Sequence, residues 1–138
     1  PFLSRRIEKH YVYARINILS SLLLSIVLFL FAPIIIDTFF TDEFSDSVIV
    51  LRIMSFSIFF LSLSNIYGTN YMIIMGYERE LRNISVVVSA LGFTLSFPLI
   101  YYWGYIGAAI TVTLTRGILG ISILFKANKI TQIITNNR

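Results

Sequence analysis

Arg116 sits near the middle of residues 104–125, GYIGAAITVTLTRGILGISILF, a stretch with no other charge. At about 1.5 Å per residue this stretch is long enough to cross a bilayer as one helix. A guanidinium at such depth costs about 2.5 to 3.5 kcal/mol on insertion scales, so it must face protein, water or an anion instead of lipid tails. Its planar fork of N–H donors suits bidentate contact with a carboxylate or a phosphate. No carboxylate stands at matching depth in the other apolar stretches. A partner for Arg116 is therefore expected on another part of a larger protein or on a substrate.

The remaining chemistry-bearing residues exclude several functions. There is no cysteine, so thiolate metal sites, disulfides and thiol catalysis are absent. The one histidine, His10, lies between Lys9 and Tyr11 and reads as an interfacial residue. Asp37, Asp42, Glu43 and Asp46 crowd one segment, DTFFTDEFSDS, without the regular oxygen spacing and turn glycine of a calcium loop, and no metal is expected. Every acid lies outside the apolar stretches, so none of them offers the acid and base groups of a membrane enzyme. Neither an enzyme nor a cofactor is expected.

What must position Arg116 is a set of membrane helices. The chain of 138 residues is 57% hydrophobic and only 13% charged, about half the charge usual for soluble domains. Charge-free runs cover residues 16–36, 53–77 and 83–115, each beyond the spanning threshold of about 18 residues. The third is too long for one span, and the aromatic cluster Tyr101, Tyr102, Trp103, Tyr105 around Gly104 divides it. The expected fold is all-α, with four transmembrane helices at about 15–36, 48–75, 84–101 and 104–125. Residues 1–14 are expected to be a connection with at most a short helix, and residues 126–138 a polar tail. The start at Pro1, with no initiator Met and no signal-peptide pattern, and the polar end at residues 131–138 read as the C-terminal part of a larger polytopic protein.

The net charge of +4 is a matter of topology. Lys and Arg at 5, 6, 9, 15, 79, 82, 126, 129 and 138 fall on alternate connections, whereas the loop after the first span carries only acids and the loop near residue 103 carries no charge. The positive-inside rule then places both termini in the cytoplasm. Without a basic groove or stacking motif, nucleic acid is not expected as a partner. Arg52, a few residues into the second span, is expected to snorkel outward or to pair with Asp46 or Asp42. Asn83-Ile-Ser85 matches a glycosylation pattern, but its cytoplasmic edge position makes the match accidental.

Small and polar residues recur at helical spacing. Asn17, Ser21 and Ser25 form one stripe, read as a helix contact in preference to a hydrated lining. At 100° per residue, Ser55, Ser62, Asn65, Thr69 and Gly76 share one sector of the second helix, and Ser85, Ser89, Gly92 and Ser96 one face of the third. In the fourth, Gly104, Gly107, Ala108, Thr111, Thr115 and Ser122 make one stripe, with Ala109, Thr113, Arg116 and Gly120 opposite. A helix with two such faces belongs between neighbours, or between a neighbour and a polar lumen.

The succession LRIMSFSIFFLSLSNIYGTNYMIIMGYERELRN, then an apolar helix, then YYWGYIGAAITVTLTRG, resembles the C-terminal region of Wzx-type O-antigen exporters. These are bacterial polysaccharide-unit flippases of the multidrug/oligosaccharidyl-lipid/polysaccharide exporter superfamily. The resemblance covers residues 14–126 and rests on the Leu-Arg-Ile entry to a long helix, the glycine and polar turn after it, and the Tyr-Ile-Gly-Ala-Ala run. It implies that the four helices are the last of twelve, arranged as two six-helix bundles around a cavity. It further implies movement of an undecaprenyl-diphosphate-linked oligosaccharide across the bacterial cytoplasmic membrane by alternating access, with H+ or Na+ as coupling ion and the N-terminal bundle as intramolecular partner. Arg116 would then meet the diphosphate, with Asn65, Thr69 and Thr113 as further cavity candidates. Family members often carry an acid in the last helix where this chain has Thr115 and Arg116, so their coupling residue does not carry over. Alternatives are a multidrug or peptidoglycan-precursor exporter of the same superfamily, or a membrane glycan polymerase or ligase.

Overall fold

The computed structural model describes residues 2–40 and 44–136, with side chains described from Val12 onward. The side chain of His10, Asp42 and Glu43 of the acidic loop, and Arg138 lie outside the described residues. Helix α1 is Phe2–Phe39. Helix α2, Ser47–Leu63, runs directly into a π-helical segment, Ser64–Met72. After a turn through Gly76, helix α3 covers Glu78–Asn136. Three helical stretches are long and apolar enough to cross a membrane: Val12–Phe39, Ser47–Met72 and Glu78–Asn136. Large apolar side chains such as Leu19, Leu23, Leu30 and Phe93 stand exposed along them, as suits surfaces solvated by lipid.

Helix α3 is two helices in one. Gly104 interrupts it with φ 54° and ψ −128°, a conformation for which glycine alone has no Cβ penalty. The arms on either side, residues 78–103 and 105–136, fold back on each other. Gly107 faces the Leu99 carbonyl with no room for a side chain, and Gly92 faces Thr115. The break falls in the aromatic cluster where the sequence divides its longest apolar run.

The packing order follows from the contacts. Asn70 reaches the Tyr13 hydroxyl, the Ser25 hydroxyl donates to the Ser55 carbonyl at 2.8 Å, and the rings of Phe29 and Phe56 meet at 5.5 Å, so α1 and α2 are antiparallel. Thr113 bonds the Ile53 carbonyl, Gly120 abuts the Phe60 carbonyl and Tyr71 meets Thr131 at 2.6 Å, so the second arm of α3 runs parallel to α2. Helix α2 thus lies between α1 and that arm. A small core of Tyr71, Met72, Ile123, Ala127 and Ile130 closes the end of the molecule near the turn, beside a Lys126–Glu80 ion pair of 2.9 Å.

Three boundaries depart from expectation. Helix α1 starts at Phe2, because residues 2–32 contain neither glycine nor proline to end it; Pro33 is the first, and the helix passes it. The tail from Lys126 is helical to Asn136, held by burial of Ala127 and Ile130. The second span leaves α geometry at Ser64, where the Ser64 hydroxyl bonds the Phe60 carbonyl and competes for the helix ladder. Beyond it the bonds become i→i+5, as in Ile73 N–H to the Gly68 carbonyl, and the span then ends in a turn at Gly76 (φ 82°) closed by Tyr77 N–H to the Met72 carbonyl.

Candidate functional site within the membrane helices

Arg116 lies on the second arm of α3, where Thr113, Gly117 and Gly120 make the contact with α2. A Cβ at Gly120 would come 2.9 Å from the Phe60 carbonyl, and one at Gly117 3.4 Å from the Phe60 ring. Small residues bring the two backbones this close, and the Thr113 hydroxyl bonds the Ile53 carbonyl at 3.1 Å. At the margin of this contact Arg116 is half-buried, and its Nη1 donates to the Ser57 hydroxyl at 3.0 Å. Ser57 is 1% exposed. Among the described residues, this is the one hydrogen bond of the guanidinium, and no carboxylate pairs with it. Most of its donor capacity therefore remains for a ligand or another part of the protein.

Leu61 and Asn65 line a groove of about 330 Å³ between α2 and α1, together with Ser62, Tyr13, Asn17, Ser20 and Ser21. Its hydroxyl and amide groups can exchange hydrogen bonds with polar ligands, and Leu24, Ile58 and Ile66 supply an apolar floor. The Asn17 stripe thus divides in two. Ser25 makes the helix contact, through Ser55, while Asn17 and Ser21 border the groove.

The four residues singled out by the sequence are distributed unequally. Arg116 and Thr113 come together at the α2 contact, with Thr113 engaged by backbone. Asn65 opens on the groove against α1. Thr69 is exposed on the π-helical segment and does not line the groove. The four do not enclose a single cavity. Ser57, the acceptor for Arg116, was not among them, because it lies off the sector shared by Ser55, Ser62 and Asn65. Ser89, placed on the buried face of the first arm, is exposed, and Val88 is buried instead.

No family model matches the chain, and no solved structure matches it. One curated protein does: that named "Putative O-antigen transporter" from Escherichia coli (strain K12) is 37% identical over 92 residues, covering 67% of this chain and 22% of that protein. The chain thus spans about a fifth of the length of the relative it matches. The relative is named for transport and not for catalysis, in keeping with apolar helices that carry no acid–base pair. This multi-pass membrane protein is therefore homologous, over about two thirds of its length, to part of the protein named "Putative O-antigen transporter", a name consistent with the family its sequence resembles.

Proposed function

We propose that the chain is part of a flippase that carries undecaprenyl-diphosphate-linked oligosaccharide units across the bacterial cytoplasmic membrane by alternating access. The observation that carries this reading is Arg116, a guanidinium in the middle of a membrane helix that has, among the described residues, one hydroxyl acceptor and no carboxylate. A diphosphate supplies the missing acceptors, and a guanidinium binds it bidentately. The groove bordered by Asn17, Ser21, Ser62 and Asn65 offers hydrogen bonds to sugar hydroxyls. In this reading α1, α2 and the two arms of α3 are four crossings of a C-terminal bundle, and the rest of the cavity, including the group coupled to H+ or Na+, lies on the N-terminal bundle. The relative's name favours the polysaccharide substrate over a drug or a peptidoglycan precursor.

The direct test is complementation. Expressed at full length in cells lacking their own exporter, the protein should restore surface polysaccharide when its matching glycan is synthesised, and the lipid-linked unit should stop accumulating inside. Accumulation that continues despite correct membrane insertion would refute the flippase reading. Orientation is tested separately. The chain has no cysteine, so single substitutions in it report cleanly once any cysteine elsewhere in the full-length protein is replaced. Lys129→Cys should react with an impermeant maleimide only after the cells are opened, and Phe44→Cys in intact cells. The reverse pattern would overturn the cytoplasmic placement of both termini.

A further inference from the structure

A second arginine, Arg52, has a setting that the transport reading does not use. It lies one turn into α2 from Ser47, and its guanidinium carbon stands 5.4 Å from the centre of the Phe29 ring on α1. Phe56, one turn further along α2, completes a patch with Phe29, and both rings are open to the surroundings. The Nε of Arg52 is buried without an acceptor, and among the described residues no ion pair links Arg52 to Asp46. Pairing with Asp46 is thus not made, Asp42 lies outside the described residues, and the guanidinium makes a cation–π contact instead. Among the described residues this guanidinium has no anionic acceptor, and its positive charge stands beside two exposed rings.

We propose that Arg52, Phe29 and Phe56 form a binding site for one bilayer phospholipid in the leaflet at the Ser47 end of α2. The phosphate accepts hydrogen bonds from the Arg52 Nη groups, and the two phenyl rings lie along the acyl chains. Depth supports the assignment: the residue stands about 8 Å along the axis from the start of α2, so a side chain reaching outward meets the phosphate layer. The site is separate from Arg116, whose acceptor Ser57 turns toward α3 while Phe56 contacts α1.

The test uses the full-length protein purified in mild detergent from vesicles of phosphatidylethanolamine and phosphatidylglycerol at three to one, with bound lipid counted by native mass spectrometry. Wild type should retain one phospholipid per protein that Arg52→Ala loses at least tenfold more readily. Arg52→Lys, which keeps the charge but not the fork, should fall between. Arg116→Ala should retain the lipid as wild type does, and inorganic phosphate at tens of millimolar should not displace it. Thermal unfolding in the same detergent checks that each variant is folded. Equal lipid retention in wild type and a folded Arg52→Ala protein would overturn the proposal. Displacement by inorganic phosphate would likewise overturn it, by showing a site for the free anion.

Discussion

Replacing Arg116 by alanine in the full-length protein is expected to lower surface polysaccharide at least tenfold while the protein still inserts and accumulates in the membrane. The magnitude follows from the chemistry of the guanidinium. A hydrogen bond to a charged group is worth about 1.5 to 3 kcal/mol, which is roughly a tenfold to hundredfold change in affinity or rate. Its contribution to the fold is smaller, because within the described structure it bonds one neutral hydroxyl, that of Ser57, at the margin of a contact held by Thr113, Gly117 and Gly120. Arg116→Lys keeps the charge and loses the fork, so it should retain part of the export. Ser57→Ala separates the two roles. If Arg116 serves a ligand, losing its hydroxyl acceptor frees the guanidinium and export should change less than threefold. If Arg116 is structural, Ser57→Ala and Arg116→Ala should lower the unfolding midpoint together. Undiminished surface glycan with Arg116→Ala would remove this residue from the transport account.

The features that sequence reveals here are those written in gross exclusion and in short-range spacing. Charges are too costly in lipid to be scattered, so their absence over long runs marks the membrane stretches, and a glycine within an aromatic cluster marks the fold-back at Gly104. Other features depend on which residues meet across helices. Ser57 is one serine among several on α2, and nothing in its local spacing shows that Arg116, far along the chain, will bond it. The π-helical segment Ser64–Met72 alters the angular step on which the polar sector of Ser55, Ser62, Asn65, Thr69 and Gly76 was drawn. The sector's first members stay together against α1, Ser55 through the Ser25 bond and Ser62 and Asn65 along the groove, whereas Thr69 and Gly76 are exposed and do not line it. The helical tail carried a legible signal, since Ile123, Ala127 and Ile130 continue the four-and-three spacing, but Lys126 and Lys129 between them resemble a loop flank. Charge marked the membrane boundary there and hid the continuation of the helix.

The largest stability effect should come from a single methyl group at Gly107. In an ordinary helix interior, glycine to alanine is favourable by about 1 kcal/mol, because alanine has the higher helix propensity. At Gly107 the sign should reverse. A Cβ there would coincide with the Leu99 carbonyl and crowd the Ile100 nitrogen at 2.9 Å, and these are backbone atoms that no rotamer change can remove. The arms of α3 would have to separate just beyond the Gly104 break. Overpacking costs about 1 to 3 kcal/mol where side chains can adjust, and here they cannot, so Gly107→Ala should lose roughly 3 kcal/mol. Gly92→Ala provides the comparison. Its new methyl would meet the side chain of Thr115, whose Cβ is 3.1 Å away, and the hydroxyl of Thr115 holds the Thr111 carbonyl at 2.7 Å. A loss near 1 kcal/mol is expected there, within the lower range for overpacking. Adding Thr115→Ala should recover most of it, because the crowding atoms are then gone; no substitution of a side chain should recover Gly107→Ala. Unfolding midpoints of the purified full-length variants, measured in one detergent, decide the matter. A Gly107→Ala protein as stable as wild type would mean that the two arms do not pack through this glycine, and the fold-back at Gly104 would have to be redrawn.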